Sequence, residues 1–367
     1  METRDFLMLR IPLVLFSLFG VIFSAASKDG QIAINDVEVY ASIKRNLESN
    51  LYQLPPRIQG HYSIRQYRVT GDAEKYANSA LVDLYAVSDA HAYYACNIDK
   101  PDFIAQEAQK AVAALANNSR GERRRNALSP FPEFIFYTDI LLRYSSRIDE
   151  FGLKGQCHDK MLTLLKQVDL SKGLTDESMI RAWAAQLINY VYWAKQVGAG
   201  DYLDVYKAAF RKVYQDSADG QLNVSQFRNK LYGMTHFIIA ASGYYQHKVD
   251  AKEFDWILNY FERNIDLILT KASDDIIAEV GITYLLAGKP DHRVVSLTRD
   301  HIVNSFDNEK QMILGVEGSD DLAKGEHRNV LAMMLLGWPD ALHAGPYLAQ
   351  LPQTAKMLPR QVQLKSD

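Results

Sequence analysis

Cysteine is nearly absent: Cys96 and Cys157 are the whole complement of a 367-residue chain. Two cysteines exclude a disulfide-dense scaffold, and neither has the close Cys/His spacing of a zinc site. His158 follows Cys157, but adjacent residues on a helix point apart. In an oxidising compartment the pair can close a separation of 61 residues, or both can stay as buried thiols. The sequence leaves both open. Eleven prolines and twenty glycines are too few for an all-β chain of many tight turns. Charge of one sign is lacking too. A formal net charge of −3 gives no global electrostatic case for nucleic acid or an anionic membrane. The chain has no Gly-x-Ser-x-Gly turn, no Gly-x-x-x-x-Gly-Lys phosphate loop and no His-Glu-x-x-His helix. The cluster from Glu317 to Asp321 lacks the spaced oxygen ligands of a calcium loop and reads as a solvated acidic turn. No metal and no cofactor is expected.

What is present is enough apolar material for a core. The chain is 48% hydrophobic and 23% charged, which argues against wholesale disorder. The run from Ile11 to Phe23 lies behind Arg4 and Arg10 and ahead of Ser24, Ala25 and Ala26. It is shorter than the ~20 residues of a spanning helix. Residues 1–26 therefore read as a signal peptide, and the protein as exported, periplasmic or secreted, with no stable membrane span after cleavage.

Residues 27–116 read as N-terminal helices packed on a main body. One runs from about Asp36 to Tyr52, with Val39, Ile43, Leu47 and Leu51 at four-residue spacing. The alternation in 57–71 (His61, Tyr62, Ile64, Tyr67, Val69) reads as a loop or short strand. Asp72 caps a long helix through Tyr94, and Pro101 opens another. Residues 117–131, with Arg120, Arg123, Arg124 and Arg125 before Ser129-Pro130, read as a loop and subdomain boundary. Such a run can hold an anion or be a solvated loop, and Glu122 dilutes it. Residues 341–367 read as a C-terminal tail.

Residues 133–340 alternate two kinds of helix. Segments near 133–148, 176–197, 226–246, 274–287 and 326–336 are apolar on most sides. Those near 157–168, 201–215, 251–270 and 291–306 are one-sided. A helix apolar all round must be covered, whereas a one-sided helix can face water. The first set is therefore expected inside and the second outside. Gly233-Met234-Thr235-His236 returns as Gly281-Ile282-Thr283-Tyr284, 48 residues on, as stacked two-helix units would repeat. The expected fold is all-α, of stacked helical hairpins, open as a superhelix or closed as a ring. The pattern resembles the α/α-toroid of many exported carbohydrate-active proteins. The phrase from Gly325 to Pro339 (GEHRNVLAMMLLGWP) is similar to an uncharacterised bacterial family of exported helical proteins, a domain of unknown function. That likeness implies no activity.

Polar residues inside the apolar helices are the functional candidates. Tyr232 and His236 share a face, as do Glu279 and Thr283. Glu326 and Asn329 are three apart, and His327 points with the Leu/Met face. If the units stack in register, these groups and Arg328 surround one opening. His236, Glu326 and Tyr232 are the catalytic candidates, and Glu279, His327, Arg328 and Asn329 the binding ones. Histidine, carboxylate and tyrosine can do acid–base work while Arg328 or Asn329 neutralises a carboxylate. Such residue types resemble those of polysaccharide lyases with a toroid fold. The two functional expectations are an exported scaffold or accessory protein, with a protein or polysaccharide partner on its concave face, and a glycan-active enzyme of lyase or hydrolase type. His327 on its apolar face and Glu326 in a first helical turn also suit purely structural roles.

Overall fold

In a computed structural model, residues 35–365 are described and are almost wholly helical. The expected signal peptide and residues 27–34 lie outside the described residues. The chain begins with α1 (Asp36–Asn50), α2 (Pro56–Thr70), α3 (Ala73–Cys96), α4 (Phe103–Ala113) and α5 (Ser119–Leu128). A π-helical stretch, Phe136–Leu142, runs directly into α6 (Arg143–Glu150), followed by the short strand β1 (Leu153–Gly155). Next come α7 (His158–Gln167), α8 (Ser171–Thr175), α9 (Glu177–Gln196), α10 (Leu203–Val213) and α11 (Val224–Ala241). After these are α12 (Asp255–Arg263), α13 (Ile265–Lys271), α14 (Asp274–Leu286) and α15 (Arg293–Asn304). The hairpin β2 (Phe306–Asp307) and β3 (Met312–Ile313) precedes α16 (Leu322–Leu336), α17 (Pro352–Ala355) and β4 (Val362–Leu364). β4 pairs antiparallel with β1, so residue 364 returns to residue 153.

Helix starts are marked as the sequence suggests. Asn35 and Glu38 form a capping box on α1, and Asp72 caps α3 through the Lys75 amide. The helix expected over 226–246 ends at Ala241, the one expected over 251–270 is interrupted at Asn264, and two segments expected to be non-helical are helices. Residues 56–70 form a helix, not a loop or strand. Pro56 sits in its first turn, where a missing N–H costs nothing, and Gly71 ends it at φ 71°. Residues 119–128 are also a helix, capped by Asn118 on the Gly121 amide. Arginine is a good helix former, which outweighs the single Gly121 in the first turn, and no proline interrupts the run before Pro130.

Burial follows the predicted division into inner and outer helices. Every residue of α14 from Ile276 to Leu286 is buried, whereas α10 buries only Tyr206 and Phe210. Each fully buried large apolar side chain contributes about 1.5–3 kcal/mol, so the inner helices carry most of the core. The near-repeat has a structural counterpart. A Cβ on Gly233 would meet Phe210 and Ala184, and one on Gly281 would meet Thr298 and Leu335. Both glycines therefore mark a close helix approach. Thr283 donates to the carbonyl three residues back, and the Thr235 hydroxyl lies 3.1 Å from the equivalent carbonyl of Tyr232.

Contacts between helices run in a circuit. α6 packs on α9, α9 on α11, α11 on α14 and α14 on α16. α16 then packs on α2, α2 on α3, and α3 on α6 again. α10 and α15 lie against α9 and α14. Cys96 and Cys157 form a disulfide, joining the end of α3 to the start of α7. No helix of the described residues is long and apolar enough to cross a membrane.

Candidate functional site

A cavity of about 400 Å³ opens among α2, α6, α9, α11, α14 and α16. One wall is a stripe on α2: Arg57, His61, Arg65 and Arg68 recur at helical spacing and share a face. α6 adds Arg143, Arg147 and Glu150 by the same geometry, and α5 contributes Arg120. Among the described residues, the carboxylates lining the cavity are Asp83, Glu150 and Glu279, so six arginines outnumber three acids.

Part of this charge is compensated. Arg68 and Arg147 reach Glu150 at 2.9 and 3.2 Å, and Arg147 lies 3.5 Å from Asp83. Arg143 is 3.7 Å from Asp139. Arg57, Arg65 and Arg120 have no carboxylate within ion-pair reach among the described residues. Burial, then the neighbouring Arg143 and Arg147, push the Arg57 guanidinium below its ordinary value. An anion in the cavity would relieve that repulsion.

Unspent hydrogen-bond donors point the same way. Arg65 Nε, Arg143 Nε, Trp193 Nε1 and the Tyr244 hydroxyl are buried in the lining without a partner among the described residues. A buried donor left unpaired costs about 1–3 kcal/mol, so four of them around one space suit water or an acceptor-rich ligand. Tyr244 is held there at a backbone cost. Gly243, Tyr244 and Tyr245 all have left-handed φ values of 62, 56 and 76°. Non-glycine residues in that region cost roughly 1–3 kcal/mol each and cluster at functional sites. The fully buried Arg68 locks the turn by donating from Nη1 to the Tyr244 carbonyl (2.8 Å) and from Nε to the Gly345 carbonyl (3.0 Å).

Four of the seven sequence-predicted residues, Tyr232, His236, Glu279 and His327, line this cavity. His236 Nδ1 is 3.0 Å from Asn189 Oδ1 and donates to it, while its Nε2 faces Glu279 Oε1 at 3.6 Å. Glu279 is buried and accepts a 2.6 Å bond from the Thr235 hydroxyl. Tyr232 spends its hydroxyl on Asp275. Burial, with Asp275 and Glu279 beside it, keeps that phenol protonated. Burial would raise Asp275, but His327, Ser273, Tyr232 and Arg328 together hold it below the usual carboxylate range. His327 lies 3.8 Å from Asp275 and 3.9 Å from Glu279. Burial in the wall lowers its pKa against the pull of those two acids.

The other three are placed differently. Glu326 stands behind the lining, 2.8 Å from His61 Nδ1, and burial pushes its carboxyl up to about 8. Burial, then Arg65 and His327, drives His61 well below its ordinary value. Each partner is thus pressed toward its neutral form, and near neutral pH the pair holds one proton between them. Arg328 is outside the lining, its Nη1 buried without a partner among the described residues. Asn329 does not face the cavity at all. Its amide clamps the amide and carbonyl of Ile313 and the carbonyl of Gly325, because it lies on the side of α16 that covers β3.

Sequence reading missed His61, the arginines of α2 and α6, and Asn189. The signal was available as a four-residue stripe from Arg57 to Arg68, hidden by reading that segment as extended. Of the arginine run, Arg124 stacks on Trp183 and bonds Gln186, Arg125 bonds the Leu115 carbonyl, and Arg120 alone lines the cavity. Among the described residues, no three His, Cys, Asp or Glu side chains are grouped to hold a metal ion. No curated protein and no solved structure matches this chain. The model of an uncharacterised family matches residues 36–365, nearly every described residue, and the chain belongs to that family, the domain of unknown function DUF3541.

Proposed function

We propose that this chain is an exported enzyme acting on an anionic saccharide by acid–base catalysis of the lyase type. One observation carries the reading: uncompensated arginines, unpaired buried donors and three histidines converge on a single cavity. Arg57, Arg65 and Arg120 suit a uronate carboxylate, which guanidinium groups bind bidentately. Neutralising that carboxylate acidifies the adjacent C5–H bond. His236 is the base. Asn189 fixes Nδ1 as the donor and leaves the Nε2 lone pair to take the proton. Glu279, 3.6 Å away, stabilises the imidazolium that forms. The C5–H electron pair becomes the C4–C5 double bond, and the C4–O bond breaks. The leaving oxygen takes a proton from the Tyr244 hydroxyl, which burial holds protonated. The step needs no oxidant or metal.

A scaffold with a concave binding face would leave such groups dispersed or dry, so their convergence favours the enzyme over the scaffold reading. The closed order of helix contacts supports a ring of the α/α-toroid kind. The Cys96–Cys157 bond supports export, since disulfides persist in oxidising compartments. The test is a screen of uronate-containing polysaccharides for the ultraviolet absorbance of an unsaturated product. His236→Ala is expected to lower turnover by about 10²–10⁴-fold, the usual worth of a positioned base. If the wild type releases no unsaturated end from any uronate polymer, the lyase reading is overturned.

A further inference from the structure

A second cavity, of about 570 Å³, lies beside the first and shares two residues with it, Glu150 and Tyr244. Its chemistry is different. Its charges are largely compensated: Lys365 pairs with Asp149, Lys195 is 2.8 Å from Asp201, and Glu150 is held by Arg68 and Arg147. What remains is amide, phenol and the imidazole of His247. Tyr192, Tyr347 and Gln350 line it without a side-chain hydrogen bond among the described residues, and Tyr347 is 38% exposed. Gln246 is fixed between the Gly243 carbonyl and the Gly345 amide. Aromatic faces beside amides suit the alternating C–H faces and hydroxyls of a sugar ring, with no demand for charge.

We infer that this second cavity is a saccharide subsite holding the units of the polymer next to the one bound among the arginines. The inference rests on the proposed function, because it extends the same ligand past Tyr244. The shared partition sets the order: the turn Gly243–Tyr245 is the common rim, and Arg68 keeps it in place through the Tyr244 carbonyl. The arginine cavity then selects an acidic unit, while the second cavity reads chain length.

The test measures binding of mono-, di-, tetra- and hexamers of galacturonate, glucuronate and mannuronate to the full chain by calorimetry. Affinity is expected to rise at least tenfold from dimer to tetramer. Tyr347→Ala and Gln350→Ala, two side chains on the periphery, should each erase about tenfold for tetramers and leave dimers unchanged. Equal affinity for dimer and tetramer, or equal losses on both, overturns the subsite and leaves the proposed function standing. Absence of binding by every acidic oligomer overturns both. Tyr347→Phe, which keeps the ring, should retain tetramer affinity, and its failure to do so would argue against stacking as the basis of the subsite.

Discussion

At the scale of single residues, the Glu326–His61 pair makes the sharpest demand. Glu326 is 1% exposed and its carboxyl is raised from 4.5 to about 8. In the folded state it keeps a proton that the unfolded chain has already lost. Its contribution to stability is therefore fully present below pH 4.5 and disappears as pH rises toward about 8, a change on the order of a few kcal/mol. His61 works in the opposite direction on the acid side, because its lowered pKa disfavours the folded state when the unfolded chain charges. Glu326→Gln keeps the shape and donates to His61 Nδ1 without titrating. The thermal midpoint of the wild type should fall between pH 6 and 9 relative to that of Glu326→Gln, and parallel curves would contradict this account. Glu326→Ala leaves a buried imidazole nitrogen unpaired and should cost about 1–3 kcal/mol at every pH.

At the scale of elements, α2 does the most. It closes the contact circuit between α16 and α3, walls the cavity with its basic stripe, and anchors the C-terminal segment through Arg68. Arg68 is 2% exposed and satisfies Glu150, Tyr244 and Gly345 at once. Lysine cannot make three bonds in that planar arrangement. Arg68→Met should destabilise the protein by about 3–5 kcal/mol, the usual loss when one member of a buried ion pair is removed. It should also accelerate amide exchange in residues 343–364, since the Gly345 carbonyl loses its side-chain donor. Uniform exchange across the chain would show that Arg68 merely packs. This helix also marks the limit of sequence reading. The apolar helices 177–196, 224–241, 274–286 and 322–336 were legible because burial on most sides leaves them apolar on most sides. α2 has basic residues on its cavity face and bulky or β-favouring ones elsewhere, so its composition imitates a strand. A helix that faces an internal polar space does not follow the rule that its charged side faces water. Tyr232 and His236 were legible by their four-residue spacing, while the partners that orient them, Asp275 and Asn189, come from other helices and left no local trace.

At the scale of the molecule, charge and covalent closure are separable. The chain carries a net charge of −3 while one cavity gathers six arginines, so attraction for an anion is local rather than global. The disulfide lies elsewhere, at the junction of α3 and α7, and neither cysteine lines the cavity. Cross-linking two points 61 residues apart restricts the unfolded chain. On the chain-entropy model, that is worth about 4 kcal/mol. The segment it closes includes the π-helical stretch and all of α6, so the bond ties down the elements that carry Arg143 and Arg147 without touching them. A Cys96→Ser/Cys157→Ser double variant should therefore unfold at lower denaturant by an amount corresponding to roughly 2–4 kcal/mol. The folded fraction should bind acidic oligosaccharides with unchanged affinity. Loss of affinity in the folded double variant would mean that the bond positions the α6 arginines, and the cavity would then depend on the redox state of its surroundings. Unchanged affinity with lowered stability would place the disulfide among the features that keep the helices closed around the site.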